Sequence, residues 1–233
     1  MIKNCKKCEK DFDDNISNKF YEVLICPECM KIKELEENKI IEKEKQERID
    51  RHKIEIFGGI KILDLTYDKF IVNQNNKEVF EISQNFDYTK DNIYIYGQCG
   101  CGKTHLAGAI LNKFMDKQTN IAFHTLFSLS RSLRMKEPDE ENQILQKYIQ
   151  ADIFILDDLG IGKTSEFGLQ ILYEIIDGRD KNNKTGLVIT SNLSLADLSL
   201  KLQDDRLSSR LAGMCKILFL EGNDYRLKRG DIE

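Results

Sequence analysis

The chain has 233 residues, a formal net charge of −4 and 41% apolar residues, which gives room for one substantial core and a small appendage. No apolar stretch approaches the ~18 residues needed to cross a bilayer, and the slightly acidic balance excludes strong overall attraction to nucleic acid while leaving room for a local basic patch. No leader is visible, so the expected location is the cytoplasm, where cysteines are normally reduced.

At the amino terminus, Cys5-Lys6-Lys7-Cys8 and Cys26-Pro27-Glu28-Cys29 form two C-x2-C knuckles, a spacing that reads as a tetrahedral zinc site with Cys5, Cys8, Cys26 and Cys29 as ligands. Four thiolates leave no open coordination position, so this Zn²⁺ is expected to be structural and to supply the folding free energy of so short a segment. Disulfides or a redox pair fit less well, because neither a secretory signal nor a βαβ pattern surrounds these cysteines. Lys31 to Lys53 is built almost wholly of Lys, Glu, Arg and Asp, without Gly or Pro. It predicts an exposed helix supported by Glu–Lys neighbours, and its scattered isoleucines do not sustain a coiled-coil heptad. Gly58-Gly59 then reads as a hinge. The expected organisation is a zinc-binding module over 1–30, a charged linker helix over 31–57 and a large α/β domain over 58–233.

Asn92-Ile93-Tyr94-Ile95-Tyr96 alternates and ends a strand, and Gly97-Gln98-Cys99-Gly100-Cys101-Gly102-Lys103-Thr104 follows directly as a full match to G-x-x-x-x-G-K-[ST]. Gly97, Gly100 and Gly102 allow a tight turn that aims N–H groups at phosphates, Lys103 supplies a point charge, and the Thr104 hydroxyl can hold Mg²⁺. Residues 97–105, with His105 in the first turn of the following helix, are therefore the candidate nucleotide-binding set. Cys99 and Cys101 lie beside a helix N-terminus that lowers thiol pKa, so they read either as oxidation-sensitive thiols or, the commoner case, as small residues at positions the motif leaves open. Farther on, Arg131, Arg134 and Lys136 cluster after Phe127 and Leu129, either as a local basic patch able to meet nucleic acid or as a solvated helix face.

Ala151-Asp-Ile-Phe-Ile-Leu-Asp-Asp158 is an apolar run typical of a buried parallel strand, ending in two carboxylates. Asp157 is expected to hold Mg²⁺ through water, and Asp158 to polarise the attacking water as general base. Asp177-Gly178-Arg179 closes the amphipathic segment Leu169 to Ile176, with Arg179 as a candidate interface residue. Gly186 to Thr190 forms another strand, running into Ser191-Asn192 and placing a hydroxyl and an amide at the same edge as Asp157. In Asp204 to Leu211, Arg206 and Arg210 share one helical face, suited to the charge of phosphoryl transfer or to pairing with Asp204 and Asp205. Cys215 precedes Ile217-Leu218-Phe219-Leu220 and reads as a buried thiol. Strands near 92–96, 121–125, 151–156, 186–190 and 216–220, with helices between, predict an α/β sandwich with a mostly parallel sheet and ligands at the strands' carboxyl ends.

Gly-Cys-Gly-Lys-Thr-His-Leu-Ala at 100–107, Leu-Asp-Asp-Leu-Gly at 156–160, Thr-Ser-Asn-Leu-Ser at 190–194, Ser-Arg-Leu at 209–211 and Asp-Tyr-Arg at 224–226 together resemble the AAA+ ATPases of the bacterial helicase-loader family. This is the DnaC and DnaI type, which also includes the transposition helper IstB, and the resemblance covers roughly residues 60–228. It implies a three-layer P-loop AAA+ sandwich on a parallel five-stranded sheet, ATP as the nucleotide, Asn192 as sensor I, Arg206 or Arg210 as arginine finger and Arg226 as a candidate second sensor. Asp158 stands where most AAA+ motors carry Glu, which implies slow, switch-like hydrolysis. The implied function is a replicative helicase loader that grips the hexameric helicase through its zinc module, self-associates through arginine contacts and delivers the helicase onto single-stranded DNA. A transposition helper acting on duplex DNA and a non-hydrolysing nucleotide-gated adaptor remain as alternatives.

Overall fold

The structure is a computed structural model that describes residues 2–13, 26–56, 62–115, 119–160, 162 and 165–225. By internal contacts the chain divides into Met1–His52 and Lys53–Glu233. The expected hinge at Gly58-Gly59 lies outside the described residues, as does Arg226.

In the first unit, β1 (Ile2–Asn4) and β2 (Asp11–Asp13) pair antiparallel, with Lys3 opposite Phe12. Cys5 and Cys8 lie in the turn between them, where Glu9 N–H bonds Cys5 O at 2.8 Å and Cys5 N–H bonds Lys10 O at 3.0 Å. Helix α1 (Pro27–Ile56) starts with proline in its first turn, where no N–H is required. Cys26 therefore immediately precedes α1, and Cys29 lies in its first turn. Met30, Ile32, Leu35 and Ile40 are all exposed, so α1 has no buried stripe there, and Lys33–Glu37 at 3.6 Å is the kind of i,i+4 pair the composition predicts.

The second unit is a three-layer sandwich around a parallel sheet. Its strands are β3 (Ile93–Tyr96), β4 (Ile121–Thr125), β5 (Ile153–Leu159), β6 (Leu187–Ser191) and β7 (Lys216–Phe219), in the order β4-β5-β6-β3-β7. Successive side chains of a strand point to opposite faces, and both faces are covered. Ile93, Ile95, Ile153, Ile155 and Val188 join one core with α2 (Lys77–Gln84) and α3 (Lys103–Phe114). Tyr94, Phe154, Leu156, Leu187 and Ile189 join the other. That second face is covered by α4 (Leu126–Leu133), α5 (Pro138–Gln150), α6 (Glu166–Lys181), α7 (Leu195–Leu202) and α8 (Arg206–Met214). The helix starts are written locally. Ser165 and Ser194 accept the N–H groups of Gly168 and Asp197, Thr125 and Ser128 form a capping box, and Pro138 opens α5 ahead of three acids. The expected α/β class and parallel five-stranded sheet are present.

Two expectations need correction. β5 extends past the expected bound near 156, to Leu159, so Asp157 and Asp158 lie within its C-terminal end and not beyond it. Arg179 is fully buried and is not an interface residue. Its guanidinium donates to the carbonyls of Tyr148, Ile149 and Ala151 at 2.9–3.1 Å and to that of Thr185, closing the C-terminal end of α5 against the loop before β6. Burial lowers its pKa to about 10, so it stays charged, with backbone carbonyls taking the place of water.

Candidate nucleotide-binding site

Parallel pairing brings the phosphate loop, β5 and the end of β6 to one edge of the sheet. Gly97 follows β3, and its N–H bonds Ser191 O at 3.2 Å, which fixes the start of the loop against β6. A Cβ at Gly97 would lie 2.2 Å from Leu220 O, so only glycine allows this approach. Gly102 caps α3 with φ +105°, a left-handed conformation that releases the first N–H groups of the helix toward the loop. Lys103 is buried, its ammonium donating to Gly97 O at 3.0 Å and Gln98 O at 2.7 Å. The charge expected to meet phosphate is thus held inside the loop, on the carbonyls of its first two residues.

Asp157 is 1% exposed. Its Oδ1 accepts from the Thr104 hydroxyl at 3.1 Å and from the Thr190 hydroxyl at 2.5 Å. Burial pushes its carboxyl up to about 6, the Thr190 hydroxyl opposes the shift, and the Asp158 charge adds to it. A carboxylate and a hydroxyl held this close form a hard oxygen donor set that fits Mg²⁺ with retained waters. Asp158 follows with φ +58°, an αL backbone that Asp tolerates better than most side chains, and its N–H donates to Thr190 Oγ1 at 2.9 Å. Asn192 sits half-buried just beyond Ser191, at the edge that carries Gly97 and Leu159.

Two segments flank the loop: one at Thr66 to Asn73, which the sequence did not single out, and one at Asp224-Tyr225, within the Asp-Tyr-Arg match. Thr66 O receives a hydrogen bond of 2.8 Å from His105 Nε2, and Phe70 packs edge-on against the His105 ring. On the other side Tyr225 N–H bonds Gly100 O at 3.2 Å, and the Asp224 carboxylate stands where a Gly100 side chain would go. Asn73 Nδ2 donates to the Tyr225 hydroxyl at 3.1 Å, linking the two segments. Cys101 is buried, and burial raises its thiol pKa, which favours the small-residue reading over a reactive thiol; Cys99 is exposed. Burial also pushes Cys215 up to about 12, as expected of an interior thiol.

Arg206 and Arg210 are not brought to this edge. Both line an open groove between α6 and α8, held by acids of the same chain. Arg206 bonds Asp204 through Nε and Nη2 at 2.6–3.1 Å and lies over the Tyr173 ring; Arg210 pairs with Asp177 at 2.6 Å and Asp180 at 3.4 Å. Arg131 and Arg134 are exposed, as is Phe127, and Lys136 pairs with Glu140.

The four amino-terminal cysteines converge, their Sγ atoms all within 4.8 Å of one another. Cys8 Sγ and Cys26 Sγ are 3.7 Å apart, close to the ~3.8 Å edge of a tetrahedron with Zn–S bonds of ~2.3 Å. Cys26 N–H donates to Cys5 Sγ at 3.3 Å and lowers that thiol to about 6, whereas Cys29 is pushed up to about 12, chiefly by Cys8. The donor set fits a structural zinc, which would neutralise thiolates that otherwise resist ionising together.

With this geometry in place, a family model described as IstB-like ATP binding protein matches residues 35–231. The chain belongs to this family. Among curated relatives, it is 26% identical over 160 residues to a protein described as the ATP-binding protein of insertion sequence IS232 from Bacillus thuringiensis subsp. berliner, covering 66% of this chain and 63% of that one. It is 24% identical over 132 residues to the replicative helicase loader DnaC of Escherichia coli K12, covering 55% and 53%. The chain thus spans less than two thirds of the length of each. The crystal structure of the DnaC helicase loader superposes with a TM-score of 0.60 at 24% identity, covering 70% of this chain and all of that one, and establishes the shared AAA+ fold. The expected family, AAA+ ATPases of the DnaC, DnaI and IstB type, is therefore shown.

Proposed function

We propose that this IstB-family protein is an ATP-dependent replicative helicase loader. In this reading residues 97–105 bind ATP, Thr104 and Asp157 hold Mg²⁺, Asp158 activates water, Asn192 senses the γ-phosphate, and Arg206 or Arg210 acts on the nucleotide of a neighbouring copy. Arg226 stays a proposed second sensor. The single observation that carries the nucleotide part is the Thr104–Asp157–Thr190 chain of hydrogen bonds, which ties the phosphate loop to the acidic strand. The loader part is supported by the convergent cysteines of residues 5–29, read as a Zn²⁺ module that grips the hexameric helicase, with single-stranded DNA as the final receiver. The proposed boundaries are 1–30, 31–57 and 58–233, and the proposed location is the cytoplasm. Among the described residues no helix is long and apolar enough to cross a membrane.

A specific observation also favours a second reading, a transposition helper: the matching family model is IstB-like, and an insertion-sequence protein is among the relatives. The two readings share the ATPase and differ in partner.

Hydrolysis is tested by steady-state turnover of the full chain with ATP and Mg²⁺. The expected result is a slow rate that Lys103→Ala abolishes and Asp158→Asn lowers by about tenfold or more. Equal, negligible rates for the wild type and Asp158→Asn, even with helicase and DNA present, would replace the ATPase with a nucleotide-gated adaptor.

A further inference from the structure

Strand β5 carries its two acids in a way that a regular strand does not allow. Leu156 pairs with Ile189 and Leu159 with Ser191, so Asp157 and Asp158 together face the single residue Thr190. This is a bulge. In an unbroken strand, consecutive side chains point to opposite faces, and the second acid would be turned away from the first. The extra residue bends the strand, and Asp158 takes it up with φ +58°. A bulge also leaves one N–H without its ladder partner. Here that N–H, of Asp158, donates to Thr190 Oγ1 at 2.9 Å.

The same hydroxyl serves the other acid. A threonine hydroxyl has one proton to donate and lone pairs to accept with. It accepts from Asp158 N–H, and its proton goes to Asp157 Oδ1 at 2.5 Å. The Thr104 hydroxyl also donates to Oδ1, which leaves Oδ2 as the carboxylate oxygen that would be available to a bound Mg²⁺. Thr190 is itself fully buried between β5 and β3, where solvent cannot substitute for it.

We propose that Thr190 is a positioning residue of the hydrolytic site, its one hydroxyl setting both the direction of the Asp157 carboxylate and the bulge that presents Asp158. The proposal rests on the reading of Asp157 as Mg²⁺ holder and Asp158 as base. Thr190 acts through the two acids that its hydroxyl bonds, Asp157 and Asp158. Its methyl group and its hydroxyl are separable: valine keeps the shape and β-branching of threonine without the hydroxyl, and serine keeps the hydroxyl without the methyl.

The test compares wild type, Thr190→Val and Thr190→Ser as full-length chains, with melting temperatures measured alongside. Turnover is read as kcat and KM, and affinity for a fluorescent ATP analogue is read in Mg²⁺ and in EDTA. Thr190→Val should lower kcat by about tenfold to a hundredfold, the expected effect of losing a buried hydrogen bond to a charged group. It should also weaken the analogue in Mg²⁺ but not in EDTA, while Thr190→Ser stays within about threefold of wild type on both readouts. A valine variant with wild-type kcat and an unchanged Mg²⁺ response overturns the proposal, as does a serine variant as impaired as valine. Thr190→Ala replaces the valine variant if that chain does not fold. Should wild type and Asp158→Asn both lack turnover, the hydrolysis reading falls, and the Mg²⁺ response of Thr190→Val still decides the role of Thr190.

Discussion

Asp157 works against the fold that holds it. Its carboxyl is raised to about 6 by burial, above the ~3.9 of an unfolded chain, so the ionised form that the proposed Mg²⁺ site uses destabilises the nucleotide-free protein. The native state takes up a proton at this site as pH falls from about 7 toward 4, and the penalty fades in that window. Asp157→Asn should therefore raise unfolding free energy at pH 7.5 by about 1–3 kcal/mol, with a smaller gain at pH 5, while Mg²⁺-dependent hydrolysis is lost. Urea unfolding at the two pH values checks this; an equal or reversed difference would mean that the carboxylate is not strained by burial. That Lys103, Thr104 and Asp157 come together was legible in the sequence, because the phosphate-loop pattern fixes those residue types at set offsets. Thr190 was not, because a threonine that ends an apolar strand is also an ordinary strand former. Arg179 misled for the opposite reason: an arginine closing an amphipathic helix reads as a candidate interface residue, and only the tertiary path of the α5–β5 turn buries it.

Among the elements, the five strands were readable because a sheet covered on both faces requires near-continuous apolar runs. The bulge in β5 was not readable, since a two-for-one pairing belongs to the register between strands and leaves no mark on the periodicity of one of them. The helices carry two arginines with opposite energetics. Arg179 binds four backbone carbonyls inside the protein, so Arg179→Met leaves buried acceptors unpaired and should cost about 3 kcal/mol or more in urea unfolding. Arg210 is partly exposed and pairs with Asp177 and Asp180 at the surface of the α6–α8 groove. Arg210→Ala should change stability by less than about 1 kcal/mol yet remove the rise of specific ATPase rate with protein concentration. A concentration-dependent rate that survives both Arg210→Ala and Arg206→Ala would take the finger role away from α8.

At the level of the complete chain, the sandwich and the cysteine cluster follow different physics. The sandwich is held by two apolar cores on either side of the sheet, whereas the cluster has little more than four buried or half-buried sulfurs at its centre. Metal analysis of the purified chain should find about one Zn²⁺ per chain, lost in the Cys26→Ser/Cys29→Ser variant. A full complement of disulfides instead would rule the metal out. Partner choice was the least legible property, because loader and transposition helper need the same ATP site and diverge only in what their surfaces bind. The decisive measurement is co-elution of the full chain with the host's hexameric replicative helicase in ATP and Mg²⁺, beside the Cys26→Ser/Cys29→Ser variant. A loader with a zinc grip gives a complex for the native chain and none for the variant; a native chain that leaves the helicase free but binds duplex DNA in an ATP-dependent manner contradicts loading and makes it a transposition helper.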